Sequence, residues 1–357
     1  MGNEAAVQIE MINNGGPIAD LLLKNNMNVN ALRPFVAEDG RSYINCVNND
    51  GSLGTQPVTN ATLRKDEWIL LDKVVTQAAT QRQRVVASLR NRGLTFPLPN
   101  GMNHTILQYQ NQSDTSAAQV TMDAITKGTA DRPQFDLTSL PLPLVTKDFD
   151  FTARELATSR NMGLPLDTMQ AAVSSRRCME MVEQMITGTA TALAFGGGTV
   201  FGLTNYTYRH TKSLVSWLGS TKTTVQIITD VLAMKQTLIS DRMFGPYALY
   251  VSSDYETLLD KDYLPSTTTP TSSDTLRSRL LKIDGIAEVT TLDFLGTETV
   301  ILVQLTNDCI ELIDGFMPTL IQWQPEPMRY CFKIITLLVP RIRSDYNNRC
   351  GIVHAAV

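Results

Sequence analysis

The sequence lacks the features of a secreted, membrane-spanning or nucleic-acid-reading protein. No charged segment followed by an apolar one stands at its start, so we expect no secretory signal. No apolar run approaches the roughly 18 residues of a membrane-spanning helix. Charged residues make up 18% of the 357 positions and the net charge is −4, which indicates no basic surface for nucleic acid. We therefore expect a chain that is made in the cytoplasm and does not enter a membrane.

Cysteine and histidine are scarce and scattered. The five cysteines form no Cys-x-x-Cys pair, which favours free thiols over a disulfide scaffold. The three histidines lie far apart, without the spacing of a zinc site. The glycine run at 196–198 is not followed by the Lys-Ser/Thr pair of a phosphate loop, and no Gly-x-Ser-x-Gly motif is present. We therefore expect no metal, no cofactor and no enzymatic activity.

The clearest positive signal is a long amphipathic helix at residues 166–188. Residues that recur at helical spacing form a predicted buried face: Ala172, Ser175, Met179, Val182 and Ile186. Asp167 is the predicted N-cap and Gly188 the predicted stop. The charged residues lie largely off this face: Arg176, Arg177, Glu180 and Glu183. The pattern is typical of a structural helix rather than a catalytic one.

Three further segments precede this helix. Residues 1–60 are rich in Asn and Gly and can bury little apolar surface, so we interpret them as an extended arm. Residues 63–92 have a helical pattern that ends at Gly93. Strands are then predicted at 106–109 and 118–125, joined by a polar turn at 111–116. A hairpin alone is marginally stable in water, so we expect it to lie on another surface.

The second half of the chain mixes helices with strands. Helical patterns cover residues 224–243 and 276–283. Strand patterns occur at 247–251, 286–294, 300–306, 310–313, 320–323, 330–339 and 351–354. The sequence therefore predicts an α+β protein. An arm, a hairpin in need of support and a long helix are features of a chain that completes itself by contacting its own copies.

Several motifs resemble one known group in their order and spacing. They are LPLPL at 140–144, the segment 149–155, SRNMGLPLD at 159–167, Gly202-Leu203, FGPYALYVSSD at 244–254, and LRSRL at 276–280 before a strand at Ile286. Over residues 62–340 the chain resembles the Hong Kong 97-type capsid fold, which tailed-phage major capsid proteins share with encapsulins. The resemblance is strongest to the encapsulin-like branch.

This resemblance implies a division of the chain into six parts. They are an N-terminal arm at 1–61, a peripheral-domain helix at 62–93, an extended loop at 94–147, a peripheral domain at 148–224 whose spine helix is 166–188, an axial domain at 225–318, and C-terminal strands at 319–357 that return to the peripheral domain.

The resemblance also implies where subunits touch. Predicted contact residues on the extended loop are Lys127, Asp131 and Arg132, and those on the spine helix are Arg176, Arg177, Glu180 and Glu183. Some members cross-link a loop lysine to a neighbour's asparagine with the help of a glutamate. Lys127 could take the first role and Asn347 or Asn348 the second, but no glutamate follows Asn348. The alternative for Lys127 is an ion pair.

The implied function is that of a major capsid subunit in a virion. Copies of the chain would assemble into an icosahedral shell around double-stranded DNA, without sequence-specific binding. Portal, scaffolding or decoration proteins are further implied partners. The alternative is an encapsulin shell that encloses an enzyme cargo. Encapsulins usually begin near the equivalent of the helix at residue 63, and the residues that precede it here favour the phage interpretation.

Overall fold

The computed structural model describes residues 35–37, 41–47, 53–57, 63–80, 83–99, 101–118, 120, 122, 132–162, 168–218, 222–262, 274–326 and 328–357. Seven α-helices lie within these residues: α1 (Lys65–Thr80), α2 (Arg84–Asn91), α3 (Ala153–Met162), α4 (Met169–Thr187), α5 (Thr224–Ser240), α6 (Glu256–Leu259) and α7 (Leu276–Leu281). With the strands they form a mixed α and β architecture, which confirms the predicted fold class.

The described residues contain seventeen β-strands: β1 (Phe35–Val36), β2 (Ser42–Val47), β3 (Leu53–Pro57), β4 (Leu63–Arg64), β5 (Thr95–Pro97), β6 (Ile106–Gln112), β7 (Phe135–Pro141), β8 (Val145–Thr152), β9 (Leu193–Phe195), β10 (Gly198–Val200), β11 (His210–Ser213), β12 (Tyr247–Ser252), β13 (Ile286–Leu292), β14 (Val300–Gln304), β15 (Ile310–Glu326), β16 (Arg329–Ile342) and β17 (Ile352–Ala356). Two sheets carry most of the core: β5-β15-β16-β8, which we call the four-stranded sheet, and β11-β17-β14-β12-β13, the five-stranded sheet. A third sheet, with the order β3-β2-β1-β4, also has four strands.

The four-stranded sheet carries the helices α1 and α4 on one face. Strands β15 and β16 pair antiparallel along most of their length, and β8 adds to β16 antiparallel. The apolar core between sheet and helices includes Trp68 and Leu71 of α1, Cys178 of α4 and Phe332 of β16. This core holds α4 across the sheet.

The five-stranded sheet is buried on both faces. Along β12, Tyr247, Leu249 and Val251 belong to the core under α5 and α7. Ala248 and Tyr250 point the other way, into a core shared with α2 and the end of α4. Alternation of side chains along a strand explains this division, since successive side chains leave opposite faces. Strand β12 therefore contributes side chains to both cores, one on each face of the sheet.

The single helix predicted for residues 63–92 is two helices. Helix α1 ends at Thr80, and α2 begins after Gln83 as its N-cap residue. The backbone N–H groups of Val85 and Val86, at the start of α2, donate to the Glu183 carboxylate. The first amides of a helix have no partner inside it, so this side chain stabilises a new helix start that the apolar pattern does not reveal.

Helix α4 matches the predicted spine helix closely. It covers Met169–Thr187, and Gly188 ends it in a left-handed conformation with φ 88°, its N–H donating to the Gln184 carbonyl. The predicted N-cap is wrong, because the N-cap position is Thr168 and Asp167 lies outside the described residues. The helix therefore starts one residue later than the predicted N-cap implied.

The hairpin has a different second strand from the predicted one. Strand β6 pairs antiparallel with β7, from Ile106 opposite Pro141 to Gln112 opposite Phe135. The predicted partner at 118–125 is wrong where it is described, since Ala118 and Val120 are not in a strand. The predicted turn at 111–116 is also wrong at its start. Strand β7 pairs with β6 because the end of β7 is anchored in the core, where Leu140 and the following Leu142 are buried.

The last predicted elements differ mainly in length. The strands expected at 310–313 and 320–323 are one strand, β15, with irregular pairing near Gly315. Helix α5 ends at Ser240, and α7 ends at Leu281. Of the predicted arm, the described residues form β1, β2 and β3, which join β4 in a small sheet, and Phe35 is buried against α1 and α4. Ala37 and Arg41 are also described, and all other residues of 1–61 lie outside the described residues.

Candidate subunit-contact surfaces

The outer face of α4 carries two arginines held by one glutamate. Nη1 of Arg177 lies 2.8 Å from Oε2 of Glu180, and Nε of Arg176 lies 3.5 Å from Oε1. Glu180 is only 8% exposed, whereas the Arg177 side chain is 63% exposed. The carboxylate therefore fixes both guanidinium groups at the surface, where they leave one uncompensated positive charge.

Apolar side chains accompany these arginines at the surface. Met169, Val173 and Met181 are all classed among the exposed large apolar residues of the described chain. With Arg177 they recur every four residues, so they form one stripe along α4. We call Met169, Val173, Arg177 and Met181 the outer stripe. An exposed apolar surface with a central arginine is typical of a protein contact.

Glu183 belongs to the interior rather than to this surface. It is 3% exposed, and one carboxylate oxygen accepts from the N–H groups of Val85 and Val86 at 3.1 and 3.4 Å. Burial raises the pKa of Glu183 to about 7, against the lowering effect of those two hydrogen bonds. The prediction that all four charged residues of the helix lie off its buried face is therefore wrong for Glu180 and Glu183.

The hairpin of β6 and β7 is anchored at its base and exposed toward its tip. Leu140, at the base, is 6% exposed, whereas Phe135 and Leu137, at the tip end of β7, are 61% and 55% exposed. Beyond the paired strands, Val120 and Met122 are 99% and 100% exposed. Apolar side chains this exposed bury almost no surface in the isolated subunit, so they are available for contact with another molecule.

Two arginines of β16 and the segment after it clamp the hairpin base. Both Arg341 and Arg343 lie over the ring of Tyr109 on β6, 5.8 and 5.4 Å from its centre. Both also pair with Glu311, which is 8% exposed. Burial and the neighbouring Arg343 lower the pKa of Arg341 to about 10, still well above neutral pH. The hairpin is thus fixed by cation–π contacts in addition to its backbone ladder.

A cleft of about 970 Å³ lies beside the hairpin. Its walls are β7, the turn between β9 and β10, and the segment 344–348. The hydroxyl of Tyr346 donates to Oε1 of Gln134 at 3.0 Å, and both residues line the cleft. Exposed aromatic rings and two carboxylates line it: Phe135, Tyr208, Tyr346, Asp136 and Asp345. A polar, aromatic and acidic lining of this kind suits a basic protein surface better than a small apolar ligand.

The remaining predicted contact residues are dispersed. Lys127 and Asp131 lie outside the described residues, and Arg132 is exposed just before β7. Asn347 and Asn348 are exposed in a turn, with Asn348 at φ 62°. Because Lys127 lies outside the described residues, the cross-link stays a prediction.

No group of three or more metal-ligating side chains occurs in the part of the chain that the structure describes. Nε2 of His210 lies 2.5 Å from Oδ2 of Asp241, and burial and Arg209 lower the pKa of His354. Among the described helices none has the length and apolarity to cross a membrane.

Sequence reasoning missed the burial of Glu183, although a signal for it existed. Glu183 follows Met179 by four residues and precedes Ile186 by three, so helical spacing alone puts it beside the buried face. The cleft and the Tyr109 clamp had no such signal, because their members come from segments far apart in the chain, as Tyr109 and Arg341 do in the clamp.

Comparison with known proteins gives one family and a set of similar folds. The model of a family of unknown function, DUF6260, matches residues 58–355. No curated protein matches the sequence. Among solved structures, a virus-like particle from Pyrococcus furiosus is 15% identical with a TM-score of 0.56, covering 80% of this chain and 97% of that one.

Two further structures are similar over the same part of the chain. The capsid of Myoviridae phage XM1 is 10% identical with a TM-score of 0.58, covering 75% of this chain and 91% of that one. The capsid of a native GTA particle is 11% identical with a TM-score of 0.53, covering 76% and 89%. The fold is therefore the Hong Kong 97-type capsid fold, as the sequence resemblance implied.

Proposed function

The chain belongs to the family of unknown function DUF6260, and we propose that it is the major capsid subunit of a tailed phage. Copies of it assemble into an icosahedral shell around double-stranded DNA. The observation that carries this proposal is the Hong Kong 97-type fold together with a hairpin that exposes Val120 and Met122, two apolar residues described near its tip. The division into arm, extended loop, peripheral domain, axial domain and returning strands is part of the same proposal.

Contact between copies joins the outer stripe of one subunit to the hairpin and cleft of the next. The stripe is apolar and positive, since Arg176 and Arg177 share only Glu180. The cleft is aromatic, and two carboxylates line it: Asp136, and Asp345, which also pairs with Arg349 at 4.0 Å. Burying such apolar side chains contributes about 25 cal/mol per Å², less the cost of ordering the contact. Opposite charges add register and specificity rather than most of the affinity.

The charge of the chain suits DNA as contents. A net charge of −4 gives no long-range attraction to phosphate, so a shell of this chain encloses DNA without holding it in one register. The second candidate is a nanocompartment that encloses protein cargo. It is favoured by the similarity to a virus-like particle from Pyrococcus furiosus, which covers 80% of this chain.

Electron microscopy of the purified full chain tests the proposal. We expect closed shells of uniform diameter, and nuclease-resistant DNA inside particles taken from their natural producer. Particles that contain protein and no DNA would support the nanocompartment instead. Small species alone, at every protein and salt concentration, would contradict both.

A further inference from the structure

A polar junction inside the subunit connects α2, α4 and the end of β13. Nη1 of Arg84, at the start of α2, donates to the carbonyl oxygen and to Oγ1 of Thr291 at 2.6 and 2.7 Å. Oγ1 of Thr187, at the end of α4, lies 3.5 Å from the carbonyl oxygen of Phe294. Glu183 of α4 accepts from two amides of α2, as described above. Each element is therefore hydrogen-bonded to another one.

Glu183 is the unusual member of this junction. A buried carboxylate is costly unless a positive charge neutralises it. Arg84 is the cation nearby, but its described contacts go to Thr291 and not to Glu183. A small cavity of about 10 Å³ separates the groups, lined by Arg84, Glu183, Thr187, Leu292, Asp293 and Phe294. The carboxyl group and the guanidinium thus face the same space without forming an ion pair.

The other charged groups around Glu183 do not neutralise it. Asp293, just after β13, raises its pKa, and Arg84 lowers it only weakly. From β12, Tyr250 faces Glu183, and the charge of Glu183 raises the pKa of Tyr250. Glu288 of β13 also raises the pKa of Tyr250, whereas Arg92 lowers it. Burial is the largest influence, and it holds the pKa of Glu183 at about 7.

We propose that Glu183 makes this junction sensitive to protons. With a proton on Glu183, the neutral carboxyl still accepts from the α2 amides, and Arg84 stays on Thr291. When the proton leaves, the buried charge draws the Arg84 guanidinium across the small cavity, and the contact with Thr291 is released. The link between α2 and the end of β13 is then loosened. Rising pH therefore weakens the connection between the α4 layer and the five-stranded sheet.

The sign follows from linkage. The folded subunit binds this proton more tightly than the unfolded chain does, because the Glu183 pKa rises from 4.5 to about 7. The stabilisation is complete below pH 4.5 and is lost as pH rises through 7. A difference of this size corresponds to roughly a 300-fold change in the unfolding equilibrium constant.

Glu183→Gln is the direct test, because glutamine keeps the shape of the neutral carboxyl and cannot ionise. Urea unfolding of the full chain is measured between pH 5 and 8.5 for wild type and E183Q. Between these pH limits we expect the wild-type unfolding equilibrium constant to rise relative to that of E183Q by roughly 70-fold. Glu180→Gln is the matched control, since its carboxylate faces Arg176 and Arg177. It should keep the wild-type pH dependence.

Hydrogen exchange gives a second measurement. Relative to E183Q, wild type should exchange faster in α2 and at the end of β13 at pH 8.5, with no difference at pH 5.5. Equal pH dependence of wild type and E183Q would overturn the proposal, as would loss of the dependence in E180Q. Failure of E183Q to fold at pH 5.5 would also overturn it. The junction lies within one subunit, so its test does not depend on whether shells form.

Discussion

Phe332 lies among the rings of three other aromatic side chains between the helices and the four-stranded sheet. Its ring centre is 5.3 Å from that of Phe149, 5.7 Å from Phe151 and 6.1 Å from Trp68. Phe332 is 1% exposed and Trp68 is fully buried. Side chains from α1, β8 and β16 therefore share one core, and this core sets the position of α4 above the sheet.

Phe332→Ala should lower the free energy of unfolding by about 3–5 kcal/mol, because it removes a buried ring from a cluster that cannot collapse around the space. Urea unfolding measures the loss. Trp323→Ala is the control on the neighbouring strand, since Trp323 is 46% exposed. It should cost less than about 1 kcal/mol. Equal losses for the two variants would contradict the assignment of this core.

Single residues also show the limit of pattern reading. Gly188 was predicted as the end of the helix because glycine adopts the left-handed conformation readily, and it does so here. Glu183 was assigned to the surface because it is charged. Its environment depends on Val85 and Val86, about 100 positions earlier in the chain. A sequence pattern that considers only the polarity of each residue cannot reveal these two hydrogen-bond donors.

At the scale of elements, the hairpin divides into a fixed base and a free tip. Leu107 and Tyr109 pack with the buried Leu140 and Leu142, so the base belongs to the subunit core. Two hydrogen bonds join Ser113, just after β6, to Gln134, just before β7. The Ser113 N–H donates to the Gln134 carbonyl oxygen, and the Gln134 N–H donates to Oγ of Ser113. Most of the segment 114–133 between these two residues lies outside the described residues, and we expect it to be separable from the fold of the subunit.

Deletion of residues 114–133, with Ser113 joined to Gln134 through Asn-Gly, should leave the stability of the subunit within about 1 kcal/mol of wild type. Assembly should be lost, because the exposed apolar tip is removed. Thermal unfolding measures the first effect and electron microscopy the second. A full-length control, Val120→Ser with Met122→Ser, tests whether the apolar groups or the length of the tip matter. Normal shells from the deletion would show that the hairpin tip has no part in assembly.

The elements that the sequence predicted best were those with local patterns. Helix α4 and the strand β12 carry their own periodicity and end signals. The break between α1 and α2 and the pairing of β6 with β7 were missed. In both cases the deciding interaction is distant: the Glu183 carboxylate for the start of α2, and the core under Leu140 for β7.

At the scale of the whole molecule, the surfaces that we propose for assembly differ from those that hold the fold together. The cores lie under α1, α4, α5 and the two large sheets, whereas the outer stripe and the cleft face away from them. Arg177 is the charged centre of the stripe, and Arg176 still pairs with Glu180 when Arg177 is changed. Variants of Arg177 can therefore separate assembly from folding.

Arg177→Glu should impair assembly strongly and change the stability of the subunit by no more than about 1 kcal/mol, because Arg177 is an exposed partner of Glu180. Light scattering and urea unfolding measure the two effects. Combining it with Asp136→Lys should restore part of the assembly by exchanging the two charges across the contact. Arg154→Glu, at an exposed arginine of α3, is the control. Equal impairment by R154E, or no rescue by D136K, would contradict the proposed pairing of stripe and cleft.

The sequence by itself determined the α+β class, the long helix and the order of motifs that resembles the Hong Kong 97-type fold. These features depend on short-range periodicity and turn residues, which are written locally in the chain. Tertiary structure alone decided that Glu183 is buried, that β7 completes the hairpin, and that Tyr109 lies under Arg341 and Arg343. Each of these depends on desolvation or packing between residues far apart in sequence, and such energies exist only once the chain has folded.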